Sequence, residues 1–91
     1  MISVILEFEV EDFISWKKIF NNNHELRTKN NISITGVYVS MTDADHVIVV
    51  ADAPSIDIFE YHFFGHDQVS RNLNLKAIIN PPKITYHHKM D

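Results

Sequence analysis

His46-Val47-Ile48-Val49-Val50-Ala51-Asp52 holds five apolar residues in a row between polar ends. Four of the five are β-branched, which suits a strand more than a helix. No polar residue interrupts the run, so neither face of this strand is meant for water. Such a strand belongs in the middle of a sheet. Everything else in the chain can be placed relative to it.

Just upstream, Asp43-Ala44-Asp45 is turn chemistry, and before it Ile32 to Ser40 reads as a second strand broken in pattern by Gly36. The two strands therefore form a hairpin. Further back, Ile2, Val4, Leu6, Phe8 and Val10 alternate with Ser3, Glu7 and Glu9, and Ile5 is the one apolar exception. That is a period-two strand with one well-buried face. Asp12 then offers a helix N-cap. Phe13, Trp16, Ile19, Phe20 and Leu26 follow at helical spacing, and the helix is expected to end near Lys29, before the turn residues Asn30-Asn31.

Downstream of the central run, Pro54-Ser55 opens a second helix with Ile58, Phe59, His62 and Phe63 as its inner face. Gly65 ends or kinks it, and a shorter helical piece is expected from Asp67, with Val69 and Leu73 inward. Asn80-Pro81-Pro82 breaks the chain, and Lys83 to His88 is a last strand. Prolines at its entry suit an edge.

The order is β-α-β-β-α-β, with no repeat or linker. It predicts one α+β domain over residues 1–91 of the ferredoxin-like type: a four-stranded antiparallel sheet, order 4-1-3-2, with both helices on one face. Strands one and three are then central, and they are the most apolar. Strands two and four are edges, and they carry Gly36, Tyr38, Ser40, Lys83, Thr85 and His87. The sheet face away from the helices would show Ile5 and half of the Val47–Ala51 run. An apolar patch there calls for a cover, and a second copy of the chain is the simplest one.

Composition excludes several function classes. The chain has 91 residues, no cysteine, 12 acidic against 8 basic residues and a formal charge of −4. A thiol nucleophile or Cys-based zinc site is impossible. An acidic balance with no basic run argues against a nucleic-acid partner. The first residues lack a positive start, and Glu7 and Glu9 interrupt them, so neither a signal peptide nor a membrane span is expected. The default location is cytoplasmic. A chain this short buries only about 60–65% of its unfolded surface. Ten aromatic residues (six Phe, three Tyr, one Trp) or a partner subunit must help.

The candidate chemistry lies at the helices. His24 and Arg27 are three apart near the end of the first helix, on one face. As a catalytic pair, His24 would move a proton near neutral pH and Arg27 would hold a carboxylate or enolate. As structure, both would neutralise the helix C-terminus. Trp16, Phe20, Phe59 and Phe63 would shape a pocket for a flat ligand, or simply fill the core. His62 and His66 have metal-ligand spacing, but Gly65 lies between them and no third ligand is evident, so no metal is expected. His87 and His88 point to opposite faces of a strand; His87 is expected to meet Glu7 across strands four and one, and His46 to be solvated.

Val10-Glu11-Asp12-Phe13, Trp16-Lys17 and Phe20, with His24 and Arg27, Gly36-Val37-Tyr38, Asp43 to Val50 and the closing Pro82, Ile84 and Tyr86, resemble the dimeric α/β-barrel proteins related to antibiotic-biosynthesis monooxygenases. The resemblance covers most of the chain. It implies a homodimer whose two sheets close face to face, with no cofactor. It also implies a small-molecule ligand, bound by an enzyme of the cofactor-free monooxygenase or proton-transfer kind or by a non-catalytic module. Haem-degrading members set an Asn, a Trp and a His around the porphyrin; here the only Trp is inside the apolar stripe of the first helix.

Overall fold

A computed structural model describes residues 1–64 and 78–90. Along the chain these form β1 (Ile2–Glu9), α1 (Phe13–Asn22), α2 (His24–Lys29), β2 (Ser33–Val39), β3 (His46–Ala53), α3 (Ile56–Phe64) and β4 (Lys83–His88). The four strands make one antiparallel sheet in the order β2-β3-β1-β4. This is the ferredoxin-like arrangement, with the helices on one face. The strand with the unbroken apolar run is central, as its composition requires.

Register decides which side chains meet the helices. Val4 pairs with Ala51, Leu6 with Val49 and Phe8 with Val47. All six are buried. Full burial of a Val, Leu or Phe contributes about 1.5–3 kcal/mol, so this double row anchors the domain. On β2 a bulge at Thr35, between Ile34 and Gly36, sets two residues against one of β3. The extra residue lets Ile34 and Val37 both face the helices, opposite Ala51 and Val49.

The opposite face carries Ile5, Ile48 and Val50 at its centre, with Glu7, His46, Ser3 and Asp52 around them. Two polar pairs tie β1 to β3 there: Ser3 Oγ donates to Asp52 Oδ1 at 3.1 Å, and His46 Nε2 lies 2.8 Å from Glu7 Oε1. Two expectations are corrected by this. His46 is a partner of Glu7 rather than a solvated residue. His87 does not meet Glu7, because the β1–β4 register sets Ser3 opposite His87 and Glu7 opposite Lys83. On the same face Tyr38 lays its ring over Gly36, where a Cβ would come within 2.7 Å of it.

The first helix is in fact two. Asp12 caps α1 as expected, accepting from the Ser15 N–H at 2.9 Å. The helix then breaks at Asn23, whose backbone (φ −85°, ψ 4°) is not helical. Asn21-Asn22-Asn23 is a run of poor helix formers, whose side chains compete for backbone hydrogen bonds. α2 resumes at once and ends in a Schellman motif. Asn31 takes φ 59°, its N–H donates to the Thr28 carbonyl at 3.0 Å, and the Ile32 N–H donates to the Arg27 carbonyl at 2.9 Å. That closure turns Ile32 into the core.

Ser55 caps α3, its Oγ accepting from the Ile58 N–H at 3.2 Å. Phe59, His62 and Phe63 are buried, but Ile58 is 38% exposed and not on the inner face. A helix turns 100° per residue, which carries Ile58 to the flank of a stripe centred between Phe59 and Phe63. Gly65, His66 and the helical piece from Asp67 lie outside the described residues. Among the described residues no helix is long and apolar enough to cross a membrane.

Candidate functional site

Helix α1 sets Trp16 and Phe20 one turn apart above the sheet. Trp16 packs on Phe8 of β1 and on Phe20, with ring centroids at 5.4 and 4.9 Å. Across from them α3 presents Phe59 and Phe63, nearly parallel at 5.7 Å. Between these two aromatic pairs lies a cavity of about 40 Å³. One water takes about 10–15 Å³ of such space. Leu6, Phe8, Val49 and Ala51 of the central strands also line it.

One end of the cavity is polar, where Asn23, Arg27 and His62 reach its wall. All three are buried, at 4, 7 and 5% exposure. The Arg27 guanidinium sits 4.0 Å from the Phe20 ring centroid, a cation–π contact, and its Nη1 donates to the Phe20 carbonyl at 2.7 Å. It is a second donor to an end carbonyl of α1 that the Asn23 N–H also reaches, at 3.2 Å. Burial lowers the Arg27 pKa from its ordinary value. Guanidinium pKa values are so high that it keeps its charge.

Burial, and then the Arg27 charge, bring His62 down to about 4, so its imidazole is neutral at pH 7. The Asn30 side-chain N–H₂ donates to the Leu26 carbonyl at 3.0 Å and lies 3.4 Å from His62 Nδ1. With that amide as donor, Nδ1 accepts and the ring proton is on Nε2.

The structure brings together Arg27, Trp16, Phe20, Phe59 and Phe63 around one cavity. It leaves His24 outside. His24 is exposed and begins α2, and its carbonyl accepts from Thr28 Oγ1 at 3.0 Å. The buried face of this segment steps through Asn23, Arg27 and the half-buried Asn30, and His24 falls one residue to its side. Asn23 and His62 take the place at the polar end that His24 was expected to hold. A signal for them exists in the sequence. Trp16, Phe20, Asn23 and Arg27 keep the i, i+4, i+7, i+11 rhythm of a single helical stripe, and His62 lies between Phe59 and Phe63 on another. Here the polar residues that keep the rhythm of an apolar stripe are the ones that reach the cavity wall.

No protein-family model and no curated protein matches this sequence. Solved structures do match the fold. A protein of Bordetella bronchiseptica, provisionally named an antibiotic biosynthesis monooxygenase, superposes with a TM-score of 0.76 at 18% identity, over 98% of this chain and 96% of its own. A protein of Caulobacter crescentus CB15 with the same provisional name gives 0.73 at 18% identity, over 99% and 90%. A third, from Nitrosomonas europaea, gives 0.69 at 12% identity with both chains fully covered. This chain has their fold. The likeness spans whole chains, so it places all four strands and the helix layer together. At these identities it speaks for architecture, and the chemistry has to be argued from the cavity.

Proposed function

We propose that this protein binds a small apolar or aromatic molecule in the cavity between its helices and its sheet, acting as a homodimer joined through the open sheet face. The observation that carries the reading is a cavity walled by Trp16, Phe20, Phe59 and Phe63 with a single buried polar end. Pockets that take small molecules combine such walls with a few convergent polar groups. The dimer is supported by Ile5, Ile48 and Val50, half-buried at the centre of a face that no described element covers.

Whether the ligand is also transformed depends on a base. Cofactor-free oxygenation and proton transfer both begin by taking a proton from the substrate, and a good general base has a pKa near the working pH. His62, held near 4, is a weak base at pH 7. Arg27, a cation, has no proton-accepting site. These two are the titratable groups on the cavity wall among the described residues. That favours the non-catalytic reading, a small-ligand-binding module, over turnover at this site.

Calorimetric titration with indole, a flat apolar probe, tests the pocket. Binding by the native protein, weakened at least about ten-fold in Phe59→Ala, is the expected result. Equal affinity in both proteins would remove the pocket from the argument. Recovery of indole unchanged after incubation in air is expected of a binding module, and an oxygenated product would make the protein an enzyme.

A further inference from the structure

Arg27 is more deeply buried than a structural role requires. It is 7% exposed, yet among the described residues no carboxylate lies within salt-bridge distance of it. The ion pair found among those residues, His46 with Glu7, is on the far face of the sheet. A guanidinium carries five N–H donors, and the Phe20 carbonyl takes one. The guanidinium carbon lies 4.0 Å from the Phe20 ring centroid. Among the described residues no buried side-chain nitrogen lacks a partner, so the remaining N–H groups of Arg27 open onto solvent-accessible space, where a ligand can reach them. A buried charge is expensive unless it is paired and hydrogen-bonded. A carbonyl and a ring offset part of that cost and none of the net charge.

We infer that the polar end of the cavity is an anion site: the Arg27 guanidinium receives the carboxylate of a small, flat, singly charged acid whose apolar body lies against the aromatic wall. The inference rests on the ligand-binding reading of the cavity and narrows it. A planar fork of N–H donors matches a carboxylate with two parallel hydrogen bonds. Single charge follows from the site, since Arg27 is the one cation on the cavity wall among the described residues and His62 beside it is neutral at pH 7. Small size follows from the 40 Å³ of enclosed room, enough for about three waters, so the acid group and one edge of the ligand enter while the rest lies at the open side of the cavity. Phe20 touches both Trp16 and the guanidinium, so the aromatic wall runs directly up to Arg27 and a ligand lying along it can reach the guanidinium with its acid group.

Benzoate and benzamide have nearly the same shape and differ in charge, so the pair isolates the carboxylate. Both are titrated calorimetrically into the full-length protein at pH 7 and low salt. Benzoate is expected to bind at least about ten-fold tighter than benzamide, the usual advantage of a charge-assisted hydrogen bond over a neutral one. Arg27→Met keeps the length of the side chain and removes the fork; it should abolish that preference while benzamide still binds. If Arg27→Met does not fold, as read by circular dichroism, the preference in the native protein and its loss in Arg27→Gln, which is polar but uncharged, decide the matter. Benzamide binding as well as benzoate would overturn the anion site and leave the pocket standing. A preference for benzoate that survives in Arg27→Met would also overturn it. Failure of benzoate, benzamide and indole alike would take the pocket down too.

Discussion

A neutral imidazole is what the interior accepts at His62, because burial and the charge of Arg27 both penalise a second cation there. The consequence is a pH dependence of known sign. The unfolded chain takes up a proton at His62 near pH 6.5, while the folded chain waits until about 4. Between those values acid favours the unfolded state. The contribution is fully present above pH 6.5, shrinks as pH falls, and is spent by pH 4, with at most about 3 kcal/mol at stake. Urea midpoints measured at pH 7 and pH 4.5 should therefore fall further for the native protein than for His62→Gln; parallel losses would show that another group is responsible. At this scale the sequence was partly legible. His62 was readable as an inner-face residue, since it keeps the stripe of Phe59 and Phe63. Its place beside Arg27 was not, because the two belong to different helices 35 positions apart and only packing makes them neighbours.

Elements show the same division. Strand β1 was legible from alternation alone, and β4 from a proline break followed by six residues that pair with β1 from Ile2 to Glu7. The split of the first helix was not read, although the three consecutive asparagines at 21–23 carry the cause. The break matters because it gives α1 an end carbonyl at Phe20 for Arg27 to reach, and so turns Arg27 inward. The bulge at Thr35 was visible merely as a disturbance around Gly36; the side on which it sets Ile34 and Val37 depends on the register with β3. Helix α3 is held to the edge strand β4 by a hydrogen bond from the Tyr86 hydroxyl to Glu60 Oε2 at 2.9 Å. Burial first, and then the Glu60 carboxylate, push Tyr86 up to about 12. Its unfolded value is near 10, so the stability it gives is whole below pH 10 and is lost as pH rises towards 12. Tyr86→Phe should flatten thermal stability across that alkaline window. A variant that melts with the same slope as the native protein would refute the link.

For the whole molecule, the open sheet face is the feature with consequences. Ile5, Ile48 and Val50 stand there among polar pairs, and a second copy would cover them. Ile48→Lys places a charge at the centre of this face while leaving the helix side untouched. Light scattering is expected to give a dimer for the native protein and a monomer for the variant, with the far-ultraviolet circular dichroism of the two alike. A native monomer at micromolar concentration would end the dimer proposal. The amino-acid sequence by itself determined the class of fold, because hydrophobic periodicity and turn chemistry act over a few residues and are written locally. Alternation in Ile2–Val10, the unbroken run at Val47–Ala51 and the cap at Asp12 needed no distant partner to be read. Tertiary structure alone decided the cavity. Its polar end joins Asn23 and Arg27 of one segment to His62 of another, and a buried charge acquires meaning from the groups that surround it in space. Neighbours in space come from register and helix packing, which no single stretch of chain encodes.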